Sequence, residues 1–340
     1  MEQITIRDLP RLVSNYRFPN TKKAVLQIIS SFWPFIAILL LIYGIVYYSI
    51  LPIWAIIPLS IINAFFLVRI FIIQHDCWHQ SYFHNKKLNN IIGTICSFFS
   101  LIPYSYRAKS HNFHHNHNSK LRKYRDIGDI LTYSVEEFKK LSKWKKTAYR
   151  VFRNPFLLFG IGPARYVLIQ NRIPSITLPG RDKERLASIL NNIWIIVFYT
   201  VLWFVFGWKA LVFAHFPIIL AFSSIAIRFF YIQHQHELTY KSREDKRDYV
   251  TAAIKWSSFY KLPNRLHRLT GNIGYHHIHH LNASVPSYEL ARCYKEIPLL
   301  QSEANSLTIK ESLKSLRCHL RDEHQQKMIS FREYYKKYAK

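Results

Sequence analysis

Residues 29–68 contain not one Lys, Arg, Asp or Glu, and residues 186–227 contain only Lys209. Each stretch is far longer than one crossing requires, because a helix of ~20 residues rising ~1.5 Å per residue spans a hydrocarbon core of ~30 Å. Each is therefore expected to be a helical hairpin. The first runs from about residue 28 to 48, turns near Leu51 and Pro52, and returns through Trp54 to residue 73. The second runs from about residue 189 to 206, turns at Gly207, Trp208 and Lys209, and returns from Leu211 to residue 232. The expected fold is an all-α integral membrane protein with four transmembrane helices arranged as two hairpins.

The charges excluded from these stretches pile up elsewhere. Lys and Arg number 47 against 20 Asp and Glu, a formal charge of +27. In a soluble chain that excess would suggest nucleic acid. Here it flanks apolar segments, the pattern of membrane proteins that keep Lys and Arg on the cytosolic side. Arg7, Arg11, Arg17, Lys22 and Lys23 precede the first hairpin, and dense basic runs follow each. Both termini and the middle segment are thus expected in the cytosol, with no nucleic-acid partner. No removable signal peptide is expected at the N-terminus. Residues 91–104 are apolar but short, which suits a re-entrant or interfacial segment, and residues 152–173 mix apolar residues with Arg153, Arg165 and Arg172, as a surface helix does. The four cysteines form no C-x-x-C pair, so neither a disulfide framework nor a zinc knuckle is expected.

Residues 68–75 read VRIFIIQH and residues 227–234 read IRFFYIQH, a repeat that places His75 and His234 at matching ends of the two return helices. Of 17 histidines, all but His215, His319 and His324 fall between residues 75 and 117 or between 234 and 280. His75 and His79 are four apart; His111, His114 and His115, and again His276, His279 and His280, repeat an i, i+3, i+4 spacing that gathers rings on one face of a helix. A lone histidine on such a face is ordinarily a packing residue, but this many at repeated spacings point to metal. Imidazole suits Zn, Cu, Fe and Ni, and a structural zinc site needs only four ligands, so eight or nine histidines imply two ions with roughly four ligands each. The absence of an H-E-x-x-H spacing argues against a zinc protease.

These motifs resemble the three histidine boxes, HxxxH, HxxHH and HxxHH, of the membrane fatty acid desaturase family. FYIQHQHE, KLPNRLHRLTGNIGYHHIHHLN and VPSYEL are similar to the bacterial and plant-type branch that acts at the Δ12 (ω-6) or ω-3 position, although Trp78 and Gln80 stand where glycine is commoner in that branch. The resemblance covers about residues 28–293. It implies metal ligands at His75, His79, His111, His114, His115, His276, His279 and His280, with His234 as the ninth and His236 as its rival. Asp76, Gln74, Gln233, Glu237, Asn112 and Asn272 are candidates to orient the rings by adjacency. His277 falls on a different helical face and is expected to pack or face solvent, and His84, His117 and His267 are expected outside the ligand set.

The resemblance further implies two iron ions, dioxygen as co-substrate, insertion of a cis double bond into a lipid acyl chain, and an external donor of ferredoxin or cytochrome type. The substrate would be a membrane lipid or an acyl carrier. A hydroxylase or ketolase acting on a lipid or carotenoid is the sibling alternative, and a zinc-binding membrane scaffold the alternative of another class. The chain reads as one domain in a bacterial inner membrane: a cytosolic segment (1–27), the first hairpin (28–73), a cytosolic and interfacial stretch with two boxes (74–188), the second hairpin (189–233), and a cytosolic stretch with the third box and a basic tail (234–340). The cytosolic parts would form a helical cap holding the di-metal site.

Overall fold

Asn20 starts the first long helix, α1 (Thr21–Tyr48), by accepting the Lys23 amide on its side chain at 3.0 Å. That bond satisfies one of the backbone donors a helix leaves unpaired at its start. The helix stops at Ser49, whose φ of 51° is left-handed, and a short turn through Pro52 leads into α2 (Ile56–Trp78). The computed structural model describes residues 5–117, 130–173, 182–237, 239 and 248–338, without the side chains of His114, Asn116 and His117.

Next come α3 (Lys86–Ser100) and α4 (Tyr104–His117). The segment expected to be re-entrant or interfacial is largely α3, which packs along α2. Further on, α5 (Lys143–Phe152) is followed by short helical pieces up to Ile173 that expose Phe156, Ile161, Ile169 and Ile173, as the expected surface helix would.

The second hairpin is one helical run, α6 (Asp182–His234), broken at Gly207, where φ 79° and ψ 157° lie outside helical values. Its legs fold back on each other, because the Tyr199 hydroxyl lies 3.3 Å from His215 Nδ1 while Nε2 of the same ring is 2.7 Å from the Tyr43 hydroxyl of α1. The expected three-residue turn is thus corrected to a single glycine. That backbone region is nearly closed to residues bearing a Cβ, so glycine alone can reverse the chain there.

Among the described residues three helices are long and apolar enough to cross a membrane: Thr21–Tyr48, Ile53–Trp78 and Asp182–His234. Where they meet, Phe35, Ile42, Leu67, Ile73, Ile218 and Phe222 form a common core. Their outer faces leave Trp33, Leu40, Ile57, Trp203 and Phe204 exposed, which suits a lipid solvent.

The chain is mostly helical but not all-α, and that expectation is corrected. β1 (Tyr133–Ser134), β4 (Leu320–Asp322) and β5 (Lys327–Ile329) form one small sheet in the order β1-β4-β5, while β2 (Ser258–Lys261) pairs in parallel with β3 (Asn305–Thr308). Strands this short carry too little alternation to be read locally, and both parallel pairings join segments distant in sequence. Two more helices complete the site region: α7 (His276–Leu281) and α8 (Ser287–Glu296).

Candidate metal centre

Four helices deliver the histidines to one place. α2 carries His75 and ends with His79 at its cap; α4 carries His111 and His115; α6 ends on His234; α7 carries His276, His279 and His280. The rings sort into two groups. In the first, His75, His79, His111, His115 and His279 each offer a nitrogen, and these nitrogens all lie within 4.8 Å of one another; in the second, His234, His276 and His280 do the same. Two nitrogens on opposite sides of an ion bound at ~2.1 Å stand ~4.2 Å apart, so both groups are near the size an ion demands.

The ring contacts show how the nitrogens converge. Nε2 of His75 is 2.8 Å from that of His111, which is 3.0 Å from that of His115, and His279 meets His115 at 3.0 Å. In the second group His276 Nε2 is 3.0 Å from both His234 and His280. Convergent nitrogen lone pairs in a largely buried pocket repel one another unless a cation or shared protons lie between them, so the donor set fits a metal ion. Burial first, then the neighbouring His75, His115, His79 and His276, hold the His279 imidazole well below the usual histidine range, which keeps it in the neutral form that binds metal.

The two groups abut. His279 and His280 are consecutive on α7 yet point into different groups, and the His115 and His280 rings stack at 4.3 Å across the boundary. The sequence expectation that His276, His279 and His280 converge on one side is therefore corrected. A helical turn of 3.6 residues puts His276 and His280 together, while His279 is turned toward α2 and α4. His114, named among the box ligands, has a side chain outside the described residues, as does His117.

The candidate orienting residues divide. Asp76 lies 3.4 Å from His75 Nδ1 and accepts the Ser287 amide at 2.7 Å; Asn272 donates to the Ser287 carbonyl at 2.9 Å. Both thereby pin the start of α8, the helix formed by VPSYEL, against the histidine helices. Gln74 donates to the Ile102 carbonyl and Gln233 to the Ile273 carbonyl, at 2.7 and 2.6 Å. The repeat thus has a structural meaning: each glutamine fixes the segment that leads into the next helix bearing a histidine box. Glu237 and Asn112 are corrections. Glu237 faces outward, 3.9 Å from Lys327, and Asn112 is exposed.

His277 is wholly buried between Phe259 and Tyr294, and burial pushes it down to about 3. His267 is buried and stacked on Tyr275, His84 is exposed, and His236 is buried but belongs to neither group. Arg69 reaches Ser30, Ser31 and the Arg268 carbonyl, tying α1 and α2 together.

Two aromatic neighbours of the rings were given no place at the site by the sequence reading. Trp78 lies 5.6 Å from both His75 and His111, and Trp256 stacks on His234 at 4.1 Å with the rings 20° apart. Trp78 sits inside HDCWH and stood out there only as a departure from the commoner glycine, whereas nothing around Trp256 in the chain distinguishes it.

A sequence model of the family described as fatty acid desaturase matches residues 52–308. The chain is 40% identical over 326 residues to a protein named fatty acid desaturase from Bacillus subtilis, covering 96% of this chain and 91% of that one. It is 23% identical over 246 residues to an sn-1 oleoyl-lipid 12-desaturase of Anabaena variabilis, covering 72% and 69% of the two chains. It is 27% identical over 245 residues to an sn-1 acyl-lipid omega-3 desaturase (ferredoxin) of Synechocystis, covering 68% and 64%.

Proposed function

Because the chain belongs to the fatty acid desaturase family of oxidoreductases, we propose that it inserts a cis double bond into the acyl chain of a membrane lipid at a di-iron centre. The observation that carries this reading is the pair of abutting imidazole groups, joined by the His115 and His280 stack and fed by both His279 and His280. Two iron ions held there would supply the dioxygen-dependent removal of two hydrogens from neighbouring methylenes.

The chain's own residues would do the rest. His75, His79, His111, His115 and His279 would hold one ion and His234, His276 and His280 the other, with His114 as a further ligand. Asp76 would fix the His75 ring through Nδ1 and leave Nε2 for the metal. Trp78 and Trp256 would wall the two groups from water.

The lipid environment follows from the apolar faces of the three long helices, and the break at Gly207 favours four crossings. The basic residues before α1 favour a cytosolic face for both termini and the site, in a bacterial inner membrane. A ferredoxin-type donor is favoured by the name of the Synechocystis relative and by the excess of positive charge, which steers an acidic carrier.

The test is product analysis. Cells that express the chain and are fed defined saturated and monounsaturated lipids should yield acyl chains lighter by two hydrogens, and mass spectrometry then locates the bond. Products heavier by one oxygen would overturn the reading in favour of a hydroxylase.

A further inference from the structure

His234 occupies the last helical position of α6, where backbone pairing runs out and helix ends ordinarily fray. Its ring nevertheless has to hold still within 3.0 Å of His276. What surrounds that last turn is a seam built from distant parts of the chain. Arg153, at the end of α5, is buried to 1% exposure. Its Nη2 reaches the Tyr231 hydroxyl at 3.1 Å, the Gln235 side-chain oxygen at 3.5 Å and the Cys318 carbonyl, while Nη1 reaches the Leu131 carbonyl at 3.3 Å. Tyr231 and Gln235 bracket His234, one turn before it and one residue after it. Tyr231 also donates to the Cys318 carbonyl at 2.9 Å, and Thr132 donates to Gln235 at 3.0 Å.

The grip continues past the helix end. Arg321 in β4 is also buried and donates to the Thr239 carbonyl at 3.0 Å; the Thr239 hydroxyl in turn accepts the His236 amide at 2.9 Å. The Met328 amide in β5 donates to the Glu237 carbonyl at 2.9 Å. The hairpin of β4 and β5, together with Cys318 just ahead of it, therefore touches, directly or through Arg153, residues 231, 235, 237 and 239. This hairpin lies beyond residues 52–308, which the family model matches.

Sinking two guanidinium groups among neutral oxygens costs desolvation, so the arrangement is a poor way to gain stability alone. It is a good way to fix geometry, because the planar fork of arginine bonds in several set directions at once. We infer that Arg153 and the C-terminal β-hairpin form a positioning clamp on the end of α6, and that metal binding by the three-histidine group depends on this clamp while binding by the five-histidine group does not.

The inference rests on the reading that each group holds an ion, and the experiment separates the two. The protein is purified in detergent, stripped of metal, reloaded anaerobically with ferrous iron and assayed for iron per chain. Wild type holding fewer than two ions would sink the underlying reading, whatever the variants do. Given two in wild type, Arg153→Met is expected to retain about one, while helical circular dichroism and a monodisperse elution profile stay unchanged. Tyr149→Phe removes the hydroxyl's bonds to the His319 and Leu131 carbonyls in the same seam but leaves the ring beside Arg153, and is expected to keep both ions.

Two ions in Arg153→Met, or loss of both with the fold intact, would overturn the clamp. Should Arg153→Met not fold, Tyr231→Phe removes one hydroxyl of the clamp. It is expected to release one of its two ions to a chelator about tenfold faster than wild type, the scale of supporting-residue effects on metal affinity. Unchanged release would overturn the inference equally.

Discussion

His276 and His277 are neighbours on α7 with opposite fates: one joins the three-histidine group, the other is packed among aromatic rings. His276→Ala should lose an ion and all unsaturated product. His277→Leu, which keeps the volume and removes two ring nitrogens that have no hydrogen-bond partner among the described residues, should keep its metal. It should also resist acid better. The folded-state pKa of His277 is about 3 against an ordinary 6.5, so below pH 6.5 the unfolded chain takes up a proton that the folded one does not. Stability contributed by the neutral ring is complete above pH 6.5 and is lost as pH falls toward 3; His267 and His319, each pushed down to about 4 by burial, act in the same sense. Thermal unfolding in detergent at pH 7 and pH 5 measures this, and a wild-type midpoint that does not fall would contradict it. At this scale the sequence was informative, because the box spacings and the repeat together named nine histidines and the eight with described side chains all lie in the two groups. The division into five and three was not legible, since it depends on how α2, α4, α6 and α7 cross. Adjacency to a box histidine proved a weak guide: it picked Asp76, which lies against His75, but also Glu237, which turns outward.

Among the elements, the reversal at Gly207 carries the sharpest demand on residue type. Its φ of 79° and ψ of 157° are nearly exclusive to glycine, and a residue with a Cβ forced there costs about 1–3 kcal/mol. Gly207→Ala should therefore lower the melting midpoint by several degrees although nothing lies within 4 Å of the added carbon. Gly44→Ala, equally open but in the interior of α1, should leave it unchanged or raise it. Equal midpoints for both variants would refute this account of the turn. The long helices were legible from charge-free length, and the paired glutamines from the repeat. The small sheets and Arg153 were not. Their partners, Leu320, Asn305 and Cys318, lie far along the chain, and no local pattern announces a contact of that range.

For the molecule as a whole, an apolar body and a strongly basic remainder are two consequences of one partition of residues between lipid and water. The charge of +27 that would suggest nucleic acid in a soluble protein here fits anionic headgroups and an acidic electron carrier. The same partition places every described box histidine at or beyond the ends of the long helices. The central claim is that the two imidazole groups hold two iron ions in one shared centre. Mössbauer spectroscopy of the purified protein loaded with iron-57 tests it most directly. The account predicts two iron ions per chain whose oxidised form is diamagnetic at low temperature through coupling of the pair, and a spectrum of isolated, magnetically uncoupled iron would contradict it.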